Sequence, residues 1–240
     1  MTEILNINGK QYPVKVYYEN RKNCRTSIGK NSINIRIPRF LDRGERFRQL
    51  MRMKLWARKK LEENPEKFRN SQKEYNDGDT LKVGNEEYLL RISSSAKQSS
   101  SAKLKDNIIY MHLSSILPKN VQNKHVSALL SRIIAKKHLP RLQKKIHELN
   151  EKHFNQKINK IFFKNNKSNW GSCSSKSNIN ISTRLLFAPD HVLEYVIIHE
   201  LAHLIEKNHS RDFWTLVEKA MPDYKEKTKW LKENRDKCAF

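Results

Sequence analysis

Glycine is scarce in this chain, at 6 of 240 residues, and no tract is Pro-, Gly- or mucin-like. Collagen-like and Gly-rich architectures are therefore excluded. Cysteine is equally sparse. Cys24, Cys173 and Cys238 form no CxxC pair. An odd, low count suits reduced thiols and a cytoplasmic location. No window approaches the roughly 18–20 apolar residues of a membrane span, so no membrane partner is expected. The first residues, MTEILNINGKQY, lack an apolar core, so no signal peptide is expected.

Acidic residues are also few, 25 against 48 Lys and Arg, giving a net charge of +23. Such an excess suits a polyanion, most simply nucleic acid. Composition offers a competing explanation: 32 Lys and 23 Asn are what an AT-rich genome overproduces. Split at the midpoint, residues 1–120 carry +12 and residues 121–240 carry +11, so the excess looks even.

What is present is alternation, then helical periodicity. Residues 4–6 and 12–18 flank a turn at Asn8–Gly9 and read as a hairpin. Ile33, Ile35 and Ile37 alternate before Pro38. Phe47, Leu50, Met51, Leu55 and Trp56 mark a helix over 42–63. Residues 76–115 read as a second small β region with a mobile Ser-rich loop at 93–102. A long helix from about Pro118 to Asn150 is expected to kink or split at Pro140. Strands at 158–164 and 178–182 surround a polar loop. Pro189 opens another helix, and two short helices follow over 212–221 and 224–232. No internal repeat is evident. The expected division is a β-rich region over 1–117 and a catalytic core over 118–240.

The sharpest motif is His199-Glu200-Leu201-Ala202-His203. Residues four apart share a helix face, so both imidazoles can address one ion while Glu200 reaches a water beside it. Random ordering of this composition yields HExxH with a probability of roughly 2%. His209, six residues on, lowers the figure to roughly one in a thousand, which favours a mechanism over coincidence. A catalytic zinc uses three protein ligands and keeps one position open. For His209 to return, the helix must end near Lys207-Asn208, with Asn suited to a left-handed turn. Glu206 stands where the long zinc motif HExxHxxGxxH has glycine, so the turn must differ.

Residues 168–214 resemble the YgjP-type metallopeptidase domain, related to SprT-like zinc proteases. The resemblance rests on Trp170, Gly171, Ser172, Cys173, Asn178, Ile179, Asn180, Leu185, Pro189, His199, Glu200, His203, Asn208, His209, Phe213 and Trp214. Met221-Pro222-Asp223-Tyr224 continues it, and the N-terminal part follows more loosely. Ser177 stands where the family's loop is expected to carry glycine. The resemblance implies one zinc ion per chain held by His199, His203 and His209, with Glu200 as the general base in peptide hydrolysis. Zinc would acidify its water and polarise the scissile carbonyl. Strand 178–182 is the expected edge for an extended peptide.

Other candidates read as structural. His191 suits a surface position, and His112, His125, His138, His147 and His153 are expected to be solvated. Cys173 would close the open metal position if it were a ligand, so it reads as packing. Trp170 reads as an anchor for its loop, and Phe213, Trp214 and Val217 as a core-facing stripe. The expected fold is α+β: a β-rich N-terminal region, then a mainly helical zincin-like core with a small antiparallel sheet. The expected partner is a peptide or protein substrate. Two alternatives remain open: a nucleic-acid-associated protein with a structural zinc site, and a protease recruited to DNA to act on DNA-bound proteins.

Overall fold

The computed structural model describes residues 3–7, 9–29, 32–63, 73–166, 168–235 and 237–240. The chain divides into two compact units, 1–72 and 73–240. The expected boundary at 117/118 runs instead through the second unit. Its sheet core of Tyr88, Leu90, Ile109 and Met111 is completed by Val126, Leu130 and Ile134 of the helix that follows. A cut at 117 would strip that core of its cover.

The first unit contains β1 (Glu3–Ile7), β2 (Lys10–Glu19), β3 (Arg25–Ile28), β4 (Ile33–Pro38) and α1 (Arg43–Glu63). Its sheet order is β1-β2-β4-β3. Alternation turns Ile33, Ile35 and Ile37 inward to meet Ala57 and Leu61 of α1.

The second unit opens with β5 (Thr80–Val83), β6 (Glu86–Ser95), β7 (Ser101–Lys105), β8 (Ile108–Ser114) and α2 (Lys119–His153). The order β5-β6-β8-β7 repeats that of the first unit. In both sheets the outer pairs are antiparallel and the central pair is parallel.

Register repeats as well. Leu5 faces Tyr12 as Leu81 faces Tyr88, and Val14 faces Ile33 as Leu90 faces Ile109. Each residue of the first set lies 76 positions before its counterpart (5 to 81, 12 to 88, 14 to 90, 33 to 109). The chain therefore contains a ββββα repeat, contrary to the sequence reading. Three of these four positions hold the same residue in both copies, Leu, Tyr and Ile, but such matches are few and scattered among outward residues that differ, so the repeat does not show as a run of sequence identity. Part of the Ser-rich segment expected to be a mobile loop extends β6, and Ser101 begins β7.

Pro140 lies inside α2, which runs as one 35-residue helix rather than two. Beyond it come β9 (Lys160–Lys164), β10 (Gly171–Cys173), β11 (Asn178–Ser182) and a 3-10 turn (Thr183–Phe187). The α+β class holds, but this small sheet is mixed. β11 pairs antiparallel with β10 and parallel with β9. Then follow α3 (Asp190–Ile205), α4 (Arg211–Ala220) and α5 (Tyr224–Glu233). Ile179 and Ile181 pack beneath Val192, Val196 and Ile197 of α3 and against Leu142 and Ile146 of α2. No helix among the described residues is long and apolar enough to cross a membrane.

The unit boundary changes the reading of charge. Residues 1–72 hold 18 Lys and Arg against 7 Asp and Glu, a net of +11. The other 168 residues carry +12. Ten of the 16 arginines lie in the first unit. The excess is concentrated and Arg-rich there, not even.

Candidate active site

The site is built on α3, whose apolar run is buried on several sides. His199, Glu200 and His203 project from its final two turns. α3 ends with Glu206 as an extended C-cap (φ −107°, ψ 112°) whose N–H donates to the Ala202 carbonyl. Asn208 does not adopt the expected left-handed conformation. Side chains close the helix end instead. Lys207 Nζ donates to the His203 carbonyl at 2.8 Å, and His203 Nδ1 donates to the Glu206 carbonyl at 2.9 Å. The chain then turns back to bring His209 beside the other two histidines. Ser210 starts α4 by accepting the Phe213 N–H at 3.2 Å.

The three imidazoles offer ligand atoms that all lie within 4.8 Å of one another. Nε2 of His199 and Nε2 of His209 are 3.1 Å apart, close to the ~3.3 Å that separates two nitrogens on a tetrahedral zinc. With His203 Nδ1 carrying the proton, its Nε2 presents a lone pair. Phe213 forms the floor, its ring centroid 4.4 Å from that of His203 and 4.9 Å from that of His199. Burial, reinforced by the His203 and His209 rings, pushes the His199 pKa down to about 3. Burial also lowers that of His203. Neutral imidazoles at this spacing fit a borderline divalent cation such as zinc.

Glu200 is buried at the wall of the same cleft. Burial raises its pKa to about 8, opposed by the Cys173 backbone N–H that its carboxylate accepts. A Cβ on Gly171 would lie 2.6 Å from Glu200 Oε1, so glycine permits the close approach of β10 to the carboxylate. The Trp-Gly-Ser-Cys stretch is thus a cleft wall, and its glycine is a site residue that motif spacing alone did not reveal. β10, not the expected strand 178–182, is the edge strand on the cleft. β11 is central, with a neighbour on each side.

The cleft encloses about 580 Å³. Its lining includes Trp170, Tyr195, Lys207, Lys232 and Arg235. The three cations were hidden by the basic background of the sequence. Trp170 both lines the cleft and anchors its loop: the buried Arg184 guanidinium lies 4.2 Å from the Trp170 ring centre. Arg184 also donates to the carbonyls of Cys238, at 2.8 Å, and Arg235. Phe213 and Val217 are fully buried, as expected, and Trp214 is partly buried.

His191 is exposed near the start of α3, and neither it nor Cys173 joins the ligand cluster. His138 departs from expectation. It is buried, with Nε2 3.0 Å from the Tyr88 hydroxyl.

A family model described as YgjP-like, metallopeptidase domain, matches residues 22–234. The chain belongs to the YgjP-like family. A curated relative is the UTP pyrophosphatase of Escherichia coli (strain K12), 37% identical over 54 residues. That match covers 22% of this chain and spans 32% of the relative's length. Among solved structures, the metallopeptidase zymogen of Pyrococcus abyssi abylysin matches with a TM-score of 0.36 and 24% identity. It covers 38% of this chain and 93% of that one.

Proposed function

We propose that this YgjP-like chain is a zinc-dependent peptidase. The carrying observation is the placement of Glu200, a buried carboxylate beside the three-histidine cluster that is not itself part of it. A structural zinc site has no need of such a group. A zinc ion held by His199, His203 and His209 would supply Lewis acidity and acidify a coordinated water. The positive charge of that ion would favour the ionised form of Glu200 against its burial, and the carboxylate then takes a proton from the attacking water and delivers it to the leaving amine. Gly171 and the Cys173 N–H hold the carboxylate in place for both transfers. β10 offers a sheet edge to which an extended peptide can add. The test is zinc content together with peptide hydrolysis in wild type and Glu200→Gln. About one zinc per chain in both, with cleavage only in wild type, supports the reading. Equal cleavage by the two proteins refutes it.

A second reading keeps the same machinery and changes the bond. Lys207, Lys232 and Arg235 line the cleft and suit the oxygens of a phosphoanhydride. The E. coli relative is named a UTP pyrophosphatase. Incubating one zinc-loaded preparation with denatured protein and, separately, with UTP distinguishes the two. Pyrophosphate release without peptide cleavage, abolished in Glu200→Gln, selects the phosphoanhydride reading.

A further inference from the structure

The sheet of the first unit has α1 on one face and, among the described residues, nothing from its own unit on the other. Alternation places Lys15 and Tyr17 of β2, Asn34 and Arg36 of β4, and Arg25 and Ser27 of β3 on that open face. Register aligns them in two rows, Tyr17–Arg36–Arg25 and Lys15–Asn34–Ser27. Tyr17 is 40% exposed, and the Arg36 guanidinium lies 5.5 Å from its ring centre. Arg36 Nε pairs with Glu19 at 3.3 Å. Lys15 and Arg25 are exposed, and among the described residues neither has an acidic partner. Two arginines stand directly opposite each other on neighbouring strands. Like charges so placed repel, Glu19 offsets Arg36, and a phosphate between the two arginines would offset Arg25 as well.

Inward positions of the two copies are constrained by packing, and outward positions are not. The row 76 positions on from Tyr17–Arg36–Arg25 is Ser93–His112–Ser101, and the second copy's tyrosine stands instead at the counterpart of Asn34, in the row Arg91–Tyr110–Lys103. There Arg91 is drawn to Asp77, 3.8 Å away. In the first copy the chemistry coincides with ten of the chain's 16 arginines.

We propose that the open face of the β1-β2-β4-β3 sheet binds single-stranded nucleic acid. Tyr17 stacks on a base, and Lys15, Arg25 and Arg36 contact phosphates. An exposed tyrosine on a sheet can stack only on an unpaired base, which favours a single strand over a duplex. Arginine matches phosphate through two parallel hydrogen bonds, which makes Arg-rich faces better suited than Lys-rich ones. The surface lies within the first unit and does not depend on either reading of the three-histidine site.

The test is fluorescence anisotropy of the full chain with labelled 12-mers of uridylate and thymidylate at low salt. Binding is expected, and a blunt duplex of equal length should bind more weakly. Tyr17→Ala should weaken binding about tenfold, within the range of one lost base stack, while Tyr17→Phe should stay within about twofold. Arg25→Glu should weaken it at least tenfold and flatten the salt dependence. Lys103→Glu makes the same charge change on the second copy and should have less than about a twofold effect. Lys15→Gln, at an exposed unpaired position, gives an independent reading if Arg25→Glu unfolds. Four results would overturn the proposal: no binding, a preference for duplex, equal losses from Arg25→Glu and Lys103→Glu, or no loss in Tyr17→Ala. Binding to phosphatidylserine vesicles but not to the oligonucleotides would overturn it in favour of a membrane surface.

Discussion

Glu200 Oε1 stands where a methyl group on Gly171 would approach to 2.6 Å. The proposed base and the glycine opposite it are therefore one fitted pair. Gly171→Ala must push the carboxylate aside. Hydrolysis should fall by about 10²-fold, the scale of a misplacement near 1 Å. Zinc content should stay near one per chain, because no imidazole is disturbed. Loss of metal with activity would show that Gly171 supports the whole site.

The three imidazoles act as a set. His209→Ala should weaken zinc affinity by more than about 10²-fold, beyond the usual effect of losing an outer hydrogen-bond partner. His191→Ala should leave it unchanged, since His191 lies outside the cluster. Zinc titration against a chelating dye reads both.

Ser177 adopts φ +55°, a left-handed conformation that favours glycine. The serine thus keeps the backbone shape expected of the glycine it replaces. Left-handed backbone costs a non-glycine residue roughly 1–2 kcal/mol, and glycine loses roughly 0.5–1 kcal/mol of that through chain entropy. Ser177→Gly should therefore raise the melting temperature slightly. Ser177→Val, β-branched, should lower it by several degrees. Thermal melts of the two variants decide the sign.

The buried His138 carries a pH dependence. Tyr88 donates its hydroxyl proton to Glu86 at 2.7 Å, so it accepts from His138 Nε2–H. Burial holds the His138 pKa below its ordinary 6.5. Between that lowered value and about 6.5, the unfolded chain binds a proton that the folded chain does not. Stability should fall as pH drops through this window, then level off once the folded histidine protonates. Burial of His199 and His203 adds to the same limb in zinc-free protein. His138→Gln keeps an N–H donor for Tyr88 and should reduce the slope by at most ~1.4 kcal/mol per pH unit. Urea melts across pH 4–8 measure it, and an unchanged slope would exclude His138 as a contributor.

The legible part of the molecule was its helical periodicity and its motif. HExxH and the third histidine converge because helix spacing fixes two of them and only the return of His209 needed tertiary structure. Long elements such as α1 and α3 follow from apolar spacing. Short strands did not: β3 has four residues and β10 three, too few for alternation to stand out. Gly171 was legible as part of a motif, but not as the neighbour of a residue 29 positions away (171 to 200). The even charge distribution was an artefact of halving the chain at 120 rather than at the boundary after residue 72.

The two repeat helices differ in length, 21 residues in α1 and 35 in α2. α1 serves one core. α2 covers its sheet with Val126, Leu130 and Ile134, then continues under α3 with Leu142 and Ile146. A helix shared by two cores couples their melting, because neither can lose it alone. Amides of β8 and α3 should therefore exchange with deuterium through the same opening, with matched protection. In this chain the three-histidine site borrows its rigidity from a neighbouring sheet through one uninterrupted helix.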